Sequence, residues 1–536
     1  MSDVVRIQEG RLAGLATADG AVRAFKGIPY AEPPVGPLRW RAPRPPAAWD
    51  GVRRADSYGP VAPQPPIPER SLYHPGREPQ SEDCLYLNVW TAGEAGDRRP
   101  VLVWFHMGAY LFGSGTAGPG ARSLYDGEQL ARAGAVVVTL NHRLGRLGFL
   151  AHPELTAESE HGASGNYGLM DTVAALEWVR RNIAAFGGDP DRVTVFGLSA
   201  GSYTVSHLMA SPLARGLFHR AIGQSGAAFG PAGDTCGQND LIQDLPAGER
   251  TGVRLAEALR VRSLDELRSL SPERLMSVPL PSDEPARWTM NLGPERFGRG
   301  SFESGYPIVD GHVLPDEVER VFAAGAQHDV PLITGSVANE SSGVPGVATL
   351  DDHLLDAREE YGAMADRFLE LYPASTDEAA YRASAASVGD RIFVAQNWAW
   401  ARLHSRTAGS PAFLYHWSRV PPIPPSLQLT ERDPGAFHSA EVPYVFRHVG
   451  LEGHGRDWDW EATDERLAHA ISSYWLAFAE TGDPNRAGLP EWPAFDEADP
   501  VAMHFGEHAG AGPVPDADKL AFWDAYYAHA RAGARR

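Results

Sequence analysis

A β-branched and aromatic run at 193–196 enters Gly197-Leu198-Ser199-Ala200-Gly201 and leaves it as a helix-forming stretch at 202–210. A chain that passes from strand to helix within five residues needs small side chains where the two elements approach and lifts the central residue to the crest of the turn. Such a unit is stable only with its strand inside a sheet. Short strand-forming runs recur at 101–105, 135–140, 221–224, 331–334 and 412–416, nearly continuous in apolar residues, as strands buried on both faces are. Between them lie helical patterns. The clearest spans 171–186, where Val173, Leu176, Val179 and Ile183 share one face at spacings of three and four, and Gly187-Gly188 ends it. The pattern predicts an α/β fold: a large, mostly parallel central sheet, helices on both faces and long loop insertions. Ligands then bind at the carboxyl ends of the strands.

The insertions are visible as breaks in the rhythm. Segments 59–80 and 420–435 are rich in proline and lack periodicity, and read as long surface loops within a single domain covering 1–536. With 48 Lys+Arg against 68 Asp+Glu the net charge is −20, which argues against a nucleic-acid binder. Two cysteines, Cys84 and Cys236, make neither a disulfide framework nor a zinc site. The amino terminus has no basic and apolar leader pattern, and no apolar run approaches the ~20 residues that span a bilayer. The expectation is a cytoplasmic protein with no membrane association; oligomeric state is not legible.

Ser199 at the crest of the turn is a candidate nucleophile, and the residue after it offers a backbone N–H to an oxyanion. The run at 101–105 ends in His106-Met107-Gly108-Ala109-Tyr110, where small residues allow close backbone approach, as an oxyanion strand requires or as an ordinary glycine turn does. Nucleophile-elbow folds follow the order serine, acid, histidine. The run at 331–334 leads to Glu340, and His438 sits in Gly435-Ala436-Phe437-His438-Ser439-Ala440-Glu441. One Glu in a loop is usually a solvated carboxylate, and one of 19 histidines carries little weight alone, so chain order does the selecting. Gly113-Ser114-Gly115-Thr116-Ala117-Gly118 spells a dinucleotide-binding pattern, but it is displaced from the strand and followed by Pro119, which makes it a loop. No cofactor or metal is expected.

Ser81-Glu82-Asp83-Cys84-Leu85-Tyr86-Leu87-Asn88-Val89-Trp90, taken with the Ser199 elbow, resembles the two signatures of the type-B carboxylesterase family, the group of the cholinesterases and para-nitrobenzyl esterases. The resemblance continues through Phe25-Lys26-Gly27-Ile28-Pro29-Tyr30-Ala31, Asn141-His142-Arg143-Leu144-Gly145, Asn166-Tyr167-Gly168-Leu169-Met170-Asp171, Gln224-Ser225-Gly226 and Trp492-Pro493-Ala494-Phe495-Asp496. It implies the α/β-hydrolase fold, with Ser199 as nucleophile, His438 as general base and acid, and Glu340 orienting the imidazole. Gly108, Ala109 and Ala200 are implied as oxyanion donors and Ser225 as a serine beside the acid. Arg39 with Glu82 and Arg143 with Asp171 are implied as structural ion pairs. Cys84 matches a family half-cystine but has no upstream partner, and is expected as a free thiol.

Three positions depart from the family pattern: Leu198 stands where Glu is usual, Ser202 where Gly follows the elbow, and Met107 for the first glycine of the oxyanion strand. All are expected to modify the pocket, with Leu198 removing a carboxylate that would favour cationic substrates. The implied function is a serine carboxylic-ester hydrolase acting through an acyl-enzyme on a small to medium, largely apolar ester. The alternatives are an acyltransferase, lactonase or cyclase with the same triad and, less favoured, a non-catalytic binding protein. Segment 283–306, with Trp288, Met290, Phe297 and Phe302, resembles only loosely the family region that walls the acyl pocket.

Overall fold

The computed structural model describes residues 4–67, 69, 71–74, 78–116, 123–230, 243–278, 290–291, 296–297, 305–342, 344, 346–424, 429, 434–451 and 458–533. Its centre is an 11-stranded sheet built from β1 (Leu15–Ala16), β2 (Arg23–Pro29), β3 (Tyr86–Thr91), β4 (Arg99–Phe105), β5 (Val136–Leu140), β6 (Gly188–Leu198), β7 (Arg220–Gln224), β8 (Leu332–Val337), β9 (Ala412–Trp417), β10 (Val501–Phe505) and β11 (Ala509–Pro513). The strand order is β11-β10-β9-β8-β7-β6-β4-β5-β3-β2-β1. Strands β4 to β10 run parallel to their neighbours among themselves, and antiparallel pairs close both edges. Val101, Leu102, Val103, Trp104 and Phe105 are all fully buried. Because successive side chains point to opposite faces, this burial means that both faces of the sheet are covered.

The covering helices include α1 (Tyr167–Asn182), α2 (Ala200–Ala210), α3 (Ala395–Thr407), α4 (Ala462–Thr481) and α5 (Ala517–Gly533). The helix predicted over 171–186 is α1 continued by a tight 3₁₀ turn, Ile183–Phe186, and Gly187 ends it at φ 81°, a conformation glycine adopts without penalty. Arg143 donates from Nε and Nη2 to the two Asp171 carboxylate oxygens at 2.8 and 2.7 Å, and Arg39 grips Glu82 in the same forked way. The first pair is buried and ties a loop to α1, and the second, partly buried, joins two loops, as architecture rather than chemistry. Cys84 is fully buried, and burial pushes its thiol well up. No helix among the described residues is long and apolar enough to cross a membrane.

One expectation changes. The described part of 59–80 holds no helix and only the Val61–Gln80 bridge, yet Val61, Ala62, Gln64, Ile67 and Tyr73 are buried. Its apolar side chains draw the segment into the body of the protein, so it is a packed loop rather than one lying over the surface.

Candidate active site

Strand β6 ends at Leu198 and helix α2 begins at Ala200, with Ser199 between them at φ 56°, ψ −123°. A non-glycine residue in this region is strained by roughly 1–3 kcal/mol and persists only where its surroundings hold it. They do: Ser199 N–H donates to Gln224 O at 2.9 Å, and Ser199 O accepts from Tyr203 N–H at 2.9 Å. The flanking glycines have a packing reason. A Cβ on Gly201 would lie 2.0 Å from Phe105 O, and one on Gly197 would lie 2.5 Å from the Gly201 carbonyl carbon. Strand and helix therefore touch backbone to backbone, which brings the first turn of α2 against the end of β4. Ser199 keeps partial exposure between buried Leu198 and Ala200.

Beyond Phe105 the chain turns sharply through Gly108, Ala109 and Tyr110, at φ 123°, 52° and 57°. A Cβ on Gly108 would meet Phe112 O at 1.9 Å, so only glycine fits. Ala200 opens helix α2, where the first N–H groups lack intrahelical acceptors and the dipole favours negative charge. Its turn lies against this loop, since the site of a Gly201 Cβ is 3.0 Å from His106 O. Behind the loop, His106 Nδ1 is 2.8 Å from Met107 O, and its ring stacks on His142 at 4.7 Å and 10°. Burial pushes the His106 imidazole down to about 3, and the His142 ring adds to the push. The pair is neutral at physiological pH.

Glu340 follows β8 and accepts Val337 N–H on Oε1 at 2.9 Å, while its Oε2 lies 2.6 Å from His438 Nδ1. The acid and histidine loops are laced together: Asn339 N–H donates to Ala436 O at 3.0 Å and Asn339 Nδ2 to Pro434 O at 2.8 Å. With Nδ1 engaged by the carboxylate, the opposite edge, Nε2, is buried and has no hydrogen-bond partner among the described residues. This is the disposition of a general base awaiting a proton.

Sequence reasoning missed three residues around this imidazole and a fourth beside the turn through Gly108 to Tyr110. Phe393 stacks on it at 4.3 Å and 30°, presented by a π-helical turn, Asp390–Val394, a feature common at functional sites. Ser342 Oγ accepts His438 N–H at 2.9 Å, Tyr73 bonds Ser342, and Gln64 holds Gly113. None carries a motif. Tyr73 and Gln64 lie in a proline-rich segment that reads as a loop, and only tertiary packing brings them here.

The remaining expected positions fall as follows. Ser225, at φ 51°, is fully buried, and its N–H donates to Gly335 O at 2.8 Å, which holds the turn after β7 against β8, the strand leading to Glu340. Ser202 is buried with its hydroxyl donated to Gly226 O; it fastens α2 to that turn instead of facing a pocket, because the donor needs an acceptor once buried. Leu198 is likewise fully buried in the main core, and Met107 is buried there too. Three residues after the histidine, Glu441 is buried and accepts from Gln224 Nε2 and Tyr415 OH, each at 3.2 Å. Burial pushes its carboxyl up to about 7, and the charge of Glu340 adds to the push. Segment 283–306 lies outside the described residues apart from the backbone of two short strands and 305–306; Trp288 and Phe302, like Cys236, are not described.

The family model described as "Carboxylesterase family" matches residues 1–523. The chain is 36% identical over 503 residues to a para-nitrobenzyl esterase of Bacillus subtilis, covering 92% of this chain and 93% of that protein. It is 36% identical over 525 residues to a fumonisin B1 esterase of Sphingopyxis macrogoltabida, covering 94% and 86%. Among solved structures, a thermophilic PNB esterase superimposes with a TM-score of 0.78 at 32% identity, covering 98% of this chain and all of that one.

Proposed function

Since this chain belongs to the carboxylesterase family, we propose that Ser199, His438 and Glu340 are the triad of its serine-esterase reaction, that Gly108, Ala109 and Ala200 supply the oxyanion N–H groups, and that one domain over the whole chain carries the chemistry. The observation that carries the assignment is the 2.6 Å contact between His438 Nδ1 and Glu340 Oε2, with Nε2 left without a partner among the described residues. In the first step Ser199 Oγ attacks the ester carbonyl while His438 Nε2 takes its proton. Glu340 holds the tautomer and stabilises the imidazolium. Negative charge on the tetrahedral oxygen is met by the three N–H groups, each such donor being worth about 10²–10³ in rate. His438 returns the proton to the leaving alkoxide, and water repeats the cycle on the acyl-enzyme to release the acid.

The substrate we infer is a small to medium, largely apolar ester. Leu198 stands beside the nucleophile where the resemblance led one to expect Glu, so no carboxylate there attracts a cationic alcohol. Cytoplasmic residence is part of the same reading, supported by Cys84 as a buried free thiol. The experiment is intact-mass analysis after fluorophosphonate treatment, beside hydrolysis of short and medium p-nitrophenyl esters, on wild type and Ser199→Ala. Labelling and turnover are expected in wild type and neither in the variant. A Ser199→Ala protein that keeps full turnover overturns the assignment. Product analysis with an added alcohol separates hydrolysis from transfer.

A further inference from the structure

The loop at 59–80 touches both sides of the cleft that the proposed mechanism needs. On one side, Gln64 clasps Gly113: Gly113 N–H donates to Gln64 Oε1 at 2.7 Å, and Gln64 Nε2 donates to Gly113 O at 3.1 Å. Gly113 in turn presses on the oxyanion turn, since a Cβ there would lie 2.3 Å from Met107 O. The loop's own frame is closed by Gln80, whose Oε1 accepts Gln64 N–H at 2.9 Å, and by the Val61–Gln80 bridge. On the other side, Tyr73 OH donates to Ser342 O at 3.0 Å and lies 2.8 Å from Ser342 Oγ. Ser342 Oγ accepts His438 N–H at 2.9 Å. Tyr73, Ser342 and Gln64 are all at least nine-tenths buried.

The hydrogen count at Ser342 gives this contact a direction. With the Tyr73 O–H donated to Ser342 O, the 2.8 Å contact closes by the Ser342 hydroxyl donating to the phenol oxygen, although either hydroxyl can serve as donor there. The Ser342 oxygen is thereby polarised and oriented, with a lone pair toward His438 N–H. That N–H lies next to the Cα from which the imidazole hangs, so fixing it fixes where Nε2 points relative to Ser199. Phe393 restrains the ring by its face and Glu340 by Nδ1; Ser342 is the restraint on the backbone.

We propose that Tyr73 is a positioning residue for His438, acting through Ser342, and that the 59–80 loop thereby holds the general base at its working distance from the oxyanion turn. The inference rests on the reading of His438 as the general base. The test is a double-mutant cycle with Tyr73→Phe, Ser342→Ala and the pair, assayed for kcat and KM on a p-nitrophenyl ester, with melting temperature as a control and His438→Ala run alongside. Tyr73→Phe keeps the buried ring and removes only the hydroxyl. It should lower kcat roughly three- to tenfold, the worth of one hydrogen bond, and leave KM within about twofold, because the restraint acts on the base and not on substrate binding. Ser342→Ala should lose at least as much, and the double variant no more than Ser342→Ala alone. A Tyr73→Phe enzyme with wild-type kcat, or losses that multiply in the double variant, overturns the inference. His438→Ala separates the two failures: wild-type turnover there overturns the base assignment, whereas lost turnover beside an unaffected Tyr73→Phe overturns the inference alone.

Discussion

Gly201→Ala tests whether the backbone contact between elbow and oxyanion strand is what sets the catalytic geometry. The new methyl carbon would start 2.0 Å from Phe105 O and 2.6 Å from Phe105 C, where a Cβ essentially never comes closer than 3.0 Å to another heavy atom. The neighbours are backbone atoms of Phe105, fully buried at the end of a central strand and paired with Gly197 of β6, so they cannot swing away as a side-chain end could. Helix α2 must therefore back off from β4 by roughly 1 Å, and it carries Ala200 and the Ser199 turn with it. Overpacking of this kind destabilises by about 1–3 kcal/mol, which a chain with this much core survives. A misplacement of about 1 Å lowers rate by on the order of 10²-fold, equivalent to about 2.7 kcal/mol of transition-state stabilisation. The assay is kcat/KM on a p-nitrophenyl ester with the melting temperature recorded for each protein. Gly510→Ala serves as control, since nothing lies within 4 Å of its Cβ position, and should behave as wild type. A folded Gly201→Ala protein with kcat/KM within about threefold of wild type would refute the reasoning.

Two further outcomes follow from the same geometry and electrostatics. Phe393→Ala removes the ring stacked on His438 and opens a cavity beside it; kcat should fall by roughly tenfold or more, while Phe393→Leu, which refills most of the space, should recover part of the loss, and equal activity of the two would count against the stacking role. Stability should fall as pH is lowered from 6.5 toward 4. His106 and His207 are held down to about 3, and His328 and His404 to about 4, chiefly by burial, whereas the unfolded imidazoles take their protons near 6.5. The unfolded state therefore binds more protons in that window, each histidine contributing a slope of about 1.4 kcal/mol per pH unit. Glu441, raised to about 7, works with the opposite sign between roughly 4.5 and 7 and offsets about one of them. Denaturant midpoints at pH 7, 6 and 5 should report a net uptake of two or more protons on unfolding, and a flat profile would exclude it.

How far the sequence reaches is clearest at the elbow and fails at the base. Gly197, Ser199 and Gly201 are legible because a strand-to-helix turn needs its small residues at fixed local offsets, and the parallel strands from β4 to β9 are legible because burial on both faces demands continuous apolar runs. Glu340 and His438 are reached only by chain order, since a single carboxylate or imidazole in a loop has no local signature. The departures at Leu198 and Ser202 are visible as letters, but their burial, and the use of the Ser202 hydroxyl on Gly226 O, are not.

The amino-acid sequence by itself determined the α/β architecture, the crest position of Ser199 and the chain order of the proposed catalytic groups, because each is written in local spacing, hydrophobic period or motif. Only the tertiary structure decided what surrounds His438 and what braces the turn after β4. Phe393, Ser342, Tyr73 and Gln64 come from segments far apart in the chain and are joined by hydrogen bonds and ring contacts that have no period. A contact between residues 73 and 342, or 393 and 438, exists only after the sheet has brought their loops to the same end of the molecule, and no sequence window is wide enough to encode it.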